Sequence, residues 1–278
     1  MRLKNRIISL LLVVVLLSGI SLLLYPFVSD YWNAQHQSKV ISLYTEEVAI
    51  MDDETYERLW NESEIYNASL LERDDAYTLT ELQSSQYDSM LNAGNSDVMG
   101  YIEIPSIRVI LPIYHGTSDA TLQRSVGHLE WTSLPIGGNS THAVISGHRG
   151  LPSASLFTDL DKLIVGDVFM IQVLDETLTY EVDQIKIIEP VDATDLTIVE
   201  GEDYVTLMTC TPYGINTHRL LVRGHRVANT EDAANVHLTS EAIQIEPLLV
   251  APIVAIPLLL VLLTVVLNEG DSKKKRRY

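Results

Sequence analysis

Cys210 is the only cysteine among the 278 residues, so no disulfide can form within the chain and its thiol is free. It stands in Thr206-Leu207-Met208-Thr209-Cys210-Thr211-Pro212-Tyr213-Gly214, where an apolar, strand-like run ends and Pro212 and Gly214 enforce a turn. A thiol at a strand end beside a loop can be open to substrate, whereas one in mid-strand would be a core residue. The following segment, His218-Arg219-Leu220-Leu221-Val222-Arg223, alternates with period two. That puts Arg219, Leu221 and Arg223 on one face and His218, Leu220 and Val222 on the other. Paired as a hairpin, the two segments bring Arg219 to the rim that carries Cys210. A guanidinium there offers fixed donors to a developing oxyanion. A surface ion pair is the plainer use of the same arginine.

A nucleophilic thiol needs an acid or base partner. Of the eight histidines, His148 stands out in Ala143-Val144-Ile145-Ser146-Gly147-His148-Arg149-Gly150, a second strand running into a glycine-flanked turn. The glycines leave its imidazole uncrowded. His128, His142, His218 and His225 are rivals that spacing alone does not exclude.

These groups need a scaffold. From Met99 onward the sequence holds short apolar or alternating runs separated by turn residues: 101–104, 109–113, 168–174, 178–182, 185–188, 204–209 and 219–222. Many short strands at near-regular spacing predict a β-barrel or sandwich. Residues 156–163 read as one short helix. Residues 30–95 are polar and acidic, free of proline, with Leu59, Ile65, Leu70 and Leu71 at rough helical spacing. They read as a helical arm with a loop near 73–80; a spacer holding the domain off a membrane is the alternative.

The formal net charge is −18, from 19 basic and 37 acidic residues. Eight of the basic and two of the acidic residues lie in the end tails, which leaves 11 basic against 35 acidic in the rest. Such a surface repels phosphate backbones and argues against nucleic-acid binding.

Residues 7–25 form an apolar run long enough to cross a bilayer, preceded by Arg2, Lys4 and Arg6. The basic side faces the cytoplasm by the positive-inside rule, and Tyr25-Pro26-Phe27 lacks the small residues of a signal-peptide cleavage site. Residues 247–267 form a second apolar run, closed by Lys273-Lys274-Lys275-Arg276-Arg277. Both termini are therefore expected in the cytoplasm and the middle of the chain outside the cell membrane. No Leu-Pro-x-Thr-Gly-like motif precedes the second run, so it reads as an anchor, not a processing signal.

Together these segments resemble the sortase family, in particular its class C, pilin-polymerising members. Thr206 to Cys210 matches Thr-Leu-x-Thr-Cys completely. The stretch from Thr211 to Gly224 resembles the class C continuation, and Ser146-Gly147-His148-Arg149-Gly150-Leu151-Pro152-Ser153 resembles the histidine segment. Pro112-Ile113-Tyr114-His115-Gly116-Thr117 and Gly127-His128-Leu129-Glu130 also fit. The resemblance covers residues of about 97 to 228.

It implies a mainly β fold: a closed eight-stranded sortase β-barrel with short helices, a helical N-terminal arm and two flanking transmembrane helices. It implies Cys210 as nucleophile, His148 as acid and base, Arg219 as oxyanion and substrate orienter, and substrate contacts at Thr209 and Thr211. Cys210 would attack the Thr–Gly amide of a Leu-Pro-x-Thr-Gly-like sorting signal, and a lysine amine of another pilin subunit would resolve the thioacyl-enzyme. The partners would be such pilins and the cell membrane; the chemistry needs no metal or organic cofactor. Class C members also carry an Asp-Pro-aromatic lid. Here Asp75-Ala76-Tyr77 occupies that place, with Asp75 expected to face Arg219 and Tyr77 to cover Cys210. Alanine in place of proline frees a φ angle and implies a looser lid.

The expected layout is a tail and anchor over 1–26, the arm with its lid (73–80) over 27–96, the catalytic barrel over 97–228, a linker over 229–246, the second span over 247–267 and a basic tail over 268–278. Two other functions fit parts of the sequence: a housekeeping sortase that joins proteins to the cell wall, and a membrane-anchored binding module with an inert Cys210.

Overall fold

The structure is a computed structural model, and it describes residues 2–72, 78–94 and 97–229. Asp75 and Tyr77, expected in a lid, the second apolar run at 247–267 and the basic tail lie outside the described residues.

Helix α1 spans Arg2–Ala49. Described residues from 29 to 229 belong to one compact unit, and residues 2–28 of the helix do not. Among the described residues α1 is the one helix long and apolar enough to cross a membrane, with a mean hydropathy of 1.3 in its apolar window. Leu22, Leu23, Tyr25 and Val28 are exposed there, as lipid-facing side chains are.

Two further helices complete the arm. Helix α2 (Asp53–Leu70) starts where Asp52 accepts the Thr55 N–H at 2.8 Å, with Asp53 and Glu54 in its first turn. Both features favour a helix N-terminus. Helix α3 (Glu81–Tyr87) opens with a capping box between Thr80 and Gln83. The buried stripe of α2 is Leu59, Ser63, Tyr66, Asn67 and Leu70. Ile65 and Leu71, grouped with that stripe by spacing, are exposed. Aromatic and amide side chains hold the true face: Tyr66 Oη donates to the Glu130 carbonyl, and Asn67 both accepts from Leu134 N–H at 2.7 Å and donates to Leu134 C=O at 3.1 Å. Leu59, Tyr66, Leu70, Tyr87, Met90 and Leu91 share one apolar core with the barrel. The arm is thus part of the domain, not a spacer.

Eight strands close into a barrel in the order β1-β2-β3-β4-β7-β8-β6-β5. They are β1 (Val98–Ile104), β2 (Val109–His115), β3 (Val126–His128), β4 (Thr141–Ser146), β5 (Val168–Val173), β6 (Glu176–Ile188), β7 (Asp203–Thr211) and β8 (His218–Val227). Pairs β2–β3 and β4–β7 are parallel and the rest antiparallel. The runs at 178–182 and 185–188 are one strand, β6, kinked by a register shift between Val182 and Gln184. The helix expected over 156–163 shrinks to a 3₁₀ turn at Leu160–Lys162. Phe157, Leu160 and Leu163 are buried in the core, so apolar spacing there reflects packing rather than a full helix. Strand β3 and helix α4 (Asp119–Arg124) had too few residues to show in the pattern.

Candidate active site

Strands β7 and β8 pair antiparallel, and Cys210 lies directly opposite Arg219. Directly opposed residues share one face of a sheet, so the hairpin alone sets the thiol beside the guanidinium. Both are half-buried. Val205 and Leu207 of β7, with Leu220 and Val222 of β8, enter the main core. Met208 and Leu221, next along the Cys210 face, pack instead with Val144, Ile188 and Leu196 in a smaller cluster outside the barrel wall. Cys210 and Arg219 crown that outer cluster. Arg219 Nη1 donates to the carbonyl of His218 at 3.2 Å, and no carboxylate pairs with Arg219 among the described residues. A free guanidinium beside a thiol is placed to bind an anion.

His148 reaches the same rim from β4. Strand β4 runs parallel to β7, with Ser146 level with Met208. The ladder continues one step: Gly147 N–H donates to the Met208 carbonyl at 3.0 Å. Thr209 Oγ1 then donates to the Gly147 carbonyl at 2.7 Å. The ladder's last pair is Ser146 with Met208, and the Gly147 bond carries the chain on toward the Cys210 end of β7, where His148 follows. Gly147 is glycine for lack of room: a Cβ would come within 2.7 Å of Phe157 and 2.8 Å of Val126. Phe157 N–H also donates to the His148 carbonyl at 3.2 Å.

The rival histidines are either bonded to other groups or placed elsewhere. His128 is fully buried, with Nδ1 2.9 Å from Tyr87 Oη and Nε2 2.8 Å from the Ser133 carbonyl. Burial pushes its pKa down to about 3, which keeps the ring neutral. His142 sits 2.9 Å from the Thr197 carbonyl and 2.8 Å from Thr206 Oγ1, and burial lowers its pKa too. It ties the β6–β7 loop to the barrel wall. His218 is exposed and lies 2.9 Å from Thr217 Oγ1. His225 lies toward the far end of β8, opposite Tyr204. Among the described residues, the His148 ring has no hydrogen-bond partner.

Thr209 and Thr211, expected as substrate contacts, face away from Cys210. Both are buried, at 1 % and 8 % exposure, and alternation puts them on the opposite face of β7 from Cys210. Their side chains do not line the Cys210 face. Thr209 instead braces Gly147, next to His148. Three residues absent from the expected set also touch this region. Arg149 Nη2 bonds Asp161 Oδ2, its guanidinium carbon lies 5.8 Å from the Tyr213 ring centroid, and the Tyr213 ring packs on Gly150. Arg149 and Tyr213 are close to His148 and Cys210 in sequence, a signal that spacing arguments do not weigh, and Asp161 has no such signal. A thiol, an imidazole and an unpaired guanidinium on one rim form a set suited to nucleophilic acyl transfer.

Comparison with known proteins gives the class. Residues 102–227 match the family described as the sortase domain. The chain is 52 % identical to the crystal structure of sortase C1 from Streptococcus agalactiae, covering 69 % of this chain and 100 % of that one with a TM-score of 0.67. A Clostridium perfringens sortase C, solved with the C-terminal cell wall sorting motif, is 47 % identical, with 69 % and 100 % coverage and a TM-score of 0.62. Sortase A of Bacillus anthracis is 25 % identical over 81 % of this chain and 96 % of its own length. The chain belongs to the sortase family of cysteine transpeptidases, and the solved structures it resembles include class C members.

Proposed function

We propose that this sortase builds covalent pili. It takes a Leu-Pro-x-Thr-Gly-like sorting signal, cleaves between threonine and glycine, and transfers the new acyl end to a lysine amine of another pilin subunit. The observation that carries this reading is the register pairing of Cys210 with Arg219, with the His148 segment bonded to the same strand.

The Cys210 sulfur attacks the threonine carbonyl as thiolate. Arg219 donates to the oxyanion that forms. His148 gives a proton to the departing glycine nitrogen, so the C–N bond breaks and a thioester remains. The incoming lysine amine attacks that thioester and passes a proton to His148, and the Cys210 thiolate leaves. Each proton given is returned, so the cycle needs no external oxidant or cofactor. The class C neighbours support pilin as substrate.

The same reading extends to the cell membrane. The chain is anchored by its two apolar runs, with both termini in the cytoplasm and the barrel outside; the apolar α1 supports the first anchor. The arm occupies residues 27–96, the catalytic barrel 97–228, a linker 229–246, the second span 247–267 and a basic tail 268–278, with Asp75 and Tyr77 in a lid over Arg219 and Cys210. The test incubates wild-type protein and Cys210→Ala with a pilin bearing such a signal. Covalent ladders and a mass-detected thioacyl adduct, both lost in Cys210→Ala, support the proposal. An adduct that only hydrolyses in the presence of pilin but yields single conjugates with a wall-precursor amine points to housekeeping attachment. Absence of both the adduct and any conjugate overturns the transpeptidase reading of Cys210.

A further inference from the structure

We propose that Arg149 and Tyr213 form a clamp that sets the position of His148 relative to Cys210, making Arg149 a positioning residue for the transfer reaction. The inference rests on the roles proposed for His148 and Cys210. Arg149 directly follows His148, and Tyr213 lies three residues beyond Cys210. The side chain of Arg149 is only 10 % exposed, unusual for an arginine beside a loop.

The guanidinium has two neighbours of different kinds. Nη2 pairs with Asp161 of the 3₁₀ turn. The adjacent residue Leu160 is fully buried, so that turn is fixed to the core. The guanidinium also lies within cation–π range of Tyr213, at 5.8 Å. On the chain's other side, a Cβ at Gly150 would come within 2.9 Å of the Tyr213 ring. Gly150 has φ of +78°, so a side chain there would be strained as well as crowded. The ring thus rests against the two residues that follow His148.

Tyr213 belongs to the turn that leaves β7, in which Ile215 and Asn216 N–H groups both donate to the Pro212 carbonyl. The clamp therefore joins the segment after the histidine to the segment after the cysteine. Thr209 Oγ1 joins the same two strands one residue before the cysteine. Two ties bracket His148 and Cys210, one on each side along the chain. Removing the outer tie leaves the β4–β7 ladder intact and frees only the histidine loop. Arg149 acts through His148 and needs no contact with substrate.

The experiment compares wild type, Arg149→Met, Asp161→Asn, Tyr213→Leu and Tyr213→Phe with His148→Ala as control. Cys210 is the sole cysteine, so the pH-rate profile of iodoacetamide alkylation reports on its thiol alone. Sorting-peptide cleavage supplies kcat and KM. The clamp predicts that Arg149→Met and Tyr213→Leu each lower kcat by on the order of 10-fold with little change in KM. They also shift the alkylation profile toward that of His148→Ala, and Tyr213→Phe, which keeps the ring, restores both readouts. The double variant Arg149→Met/Tyr213→Leu loses little more than either single one, because both break one tie. Should Arg149→Met prove unstable, Asp161→Asn weakens the same arginine's anchor and carries the comparison. Unaltered kcat and profile in folded variants, or fully additive losses, would overturn the clamp. An alkylation profile that His148→Ala itself leaves unmoved would overturn instead the pairing of His148 with Cys210.

Discussion

Thr209→Val replaces a hydroxyl with a methyl of nearly equal volume, at a site 1 % exposed. The hydroxyl donates to the Gly147 carbonyl at 2.7 Å. Loss of such a bond, with a buried acceptor left short of its donor, costs about 2 kcal/mol. For a domain of this size that lowers Tm by roughly 4–8 °C. The catalytic effect has a different origin. Gly147 directly precedes His148, and a misplacement near 1 Å can cost up to ~100-fold in rate. Thr209→Val is therefore expected to lower kcat for sorting-peptide cleavage by roughly 10- to 100-fold. Thr209→Ser, which keeps the donor, should recover most of the rate. The assay pairs thermal unfolding with steady-state cleavage at a temperature well below both melting points. A lowered Tm with kcat unchanged would refute the idea that this hydroxyl positions the histidine strand, leaving it a plain stabilising bond. Equal kcat losses in the valine and serine variants would refute it too.

Arg219→Ala should lower kcat by about 100- to 1,000-fold, and Arg219→Lys should recover only part, since one ammonium lacks the fork of donors; peptide cleavage kinetics measure both. Asn67→Leu orphans the buried Leu134 N–H, now bonded at 2.7 Å, and should cost about 1–3 kcal/mol in urea unfolding with m unchanged. His128 is held neutral when folded, with a pKa near 3 against 6.5 when exposed. Above pH 6.5 both states are neutral and its contribution is complete; as pH falls, the unfolded state takes up a proton that the folded state refuses. Stability should drop by about 2 kcal/mol from this residue between pH 6.5 and 4.5. His128→Gln should flatten that slope when unfolding free energy is measured across the range.

What the sequence made legible follows the strength of local signals. Strands β7 and β8 were plain because a long apolar run, a Pro-Gly turn and an alternating return are all local. Pairing Cys210 with Arg219 followed from that hairpin. His148 was singled out by its glycines, but removing its rivals needed the structure: only burial and partners show that His128 and His142 serve as internal struts. The stripe of α2 was misread because its buried positions include Ser63, Tyr66 and Asn67. Polar side chains that satisfy one another look exposed in a hydropathy pattern. That Thr209 and Thr211 face away from Cys210 follows from strand alternation: neighbours of a residue on a strand point away from it. Arg149 and Asp161 lie 12 residues apart in the β4–β5 connection and Tyr213 lies in the β7–β8 turn, and no periodicity links them.

The parallel pairing of β4 with β7 also orders the events of folding. Cys210 and Arg219 meet across a single tight hairpin, whereas Gly147 and Thr209 meet across 62 residues. Short-range contacts close quickly, while distant parallel strands must wait for larger loops to be drawn in. The anion-binding half of the site therefore assembles early and the proton-handling half late. Pulsed alkylation during refolding reads this order directly, as a thiol that first reacts without histidine influence and acquires it only when the barrel closes. A chain caught between those moments can be alkylated or oxidised, but it cannot hand an acyl group onward.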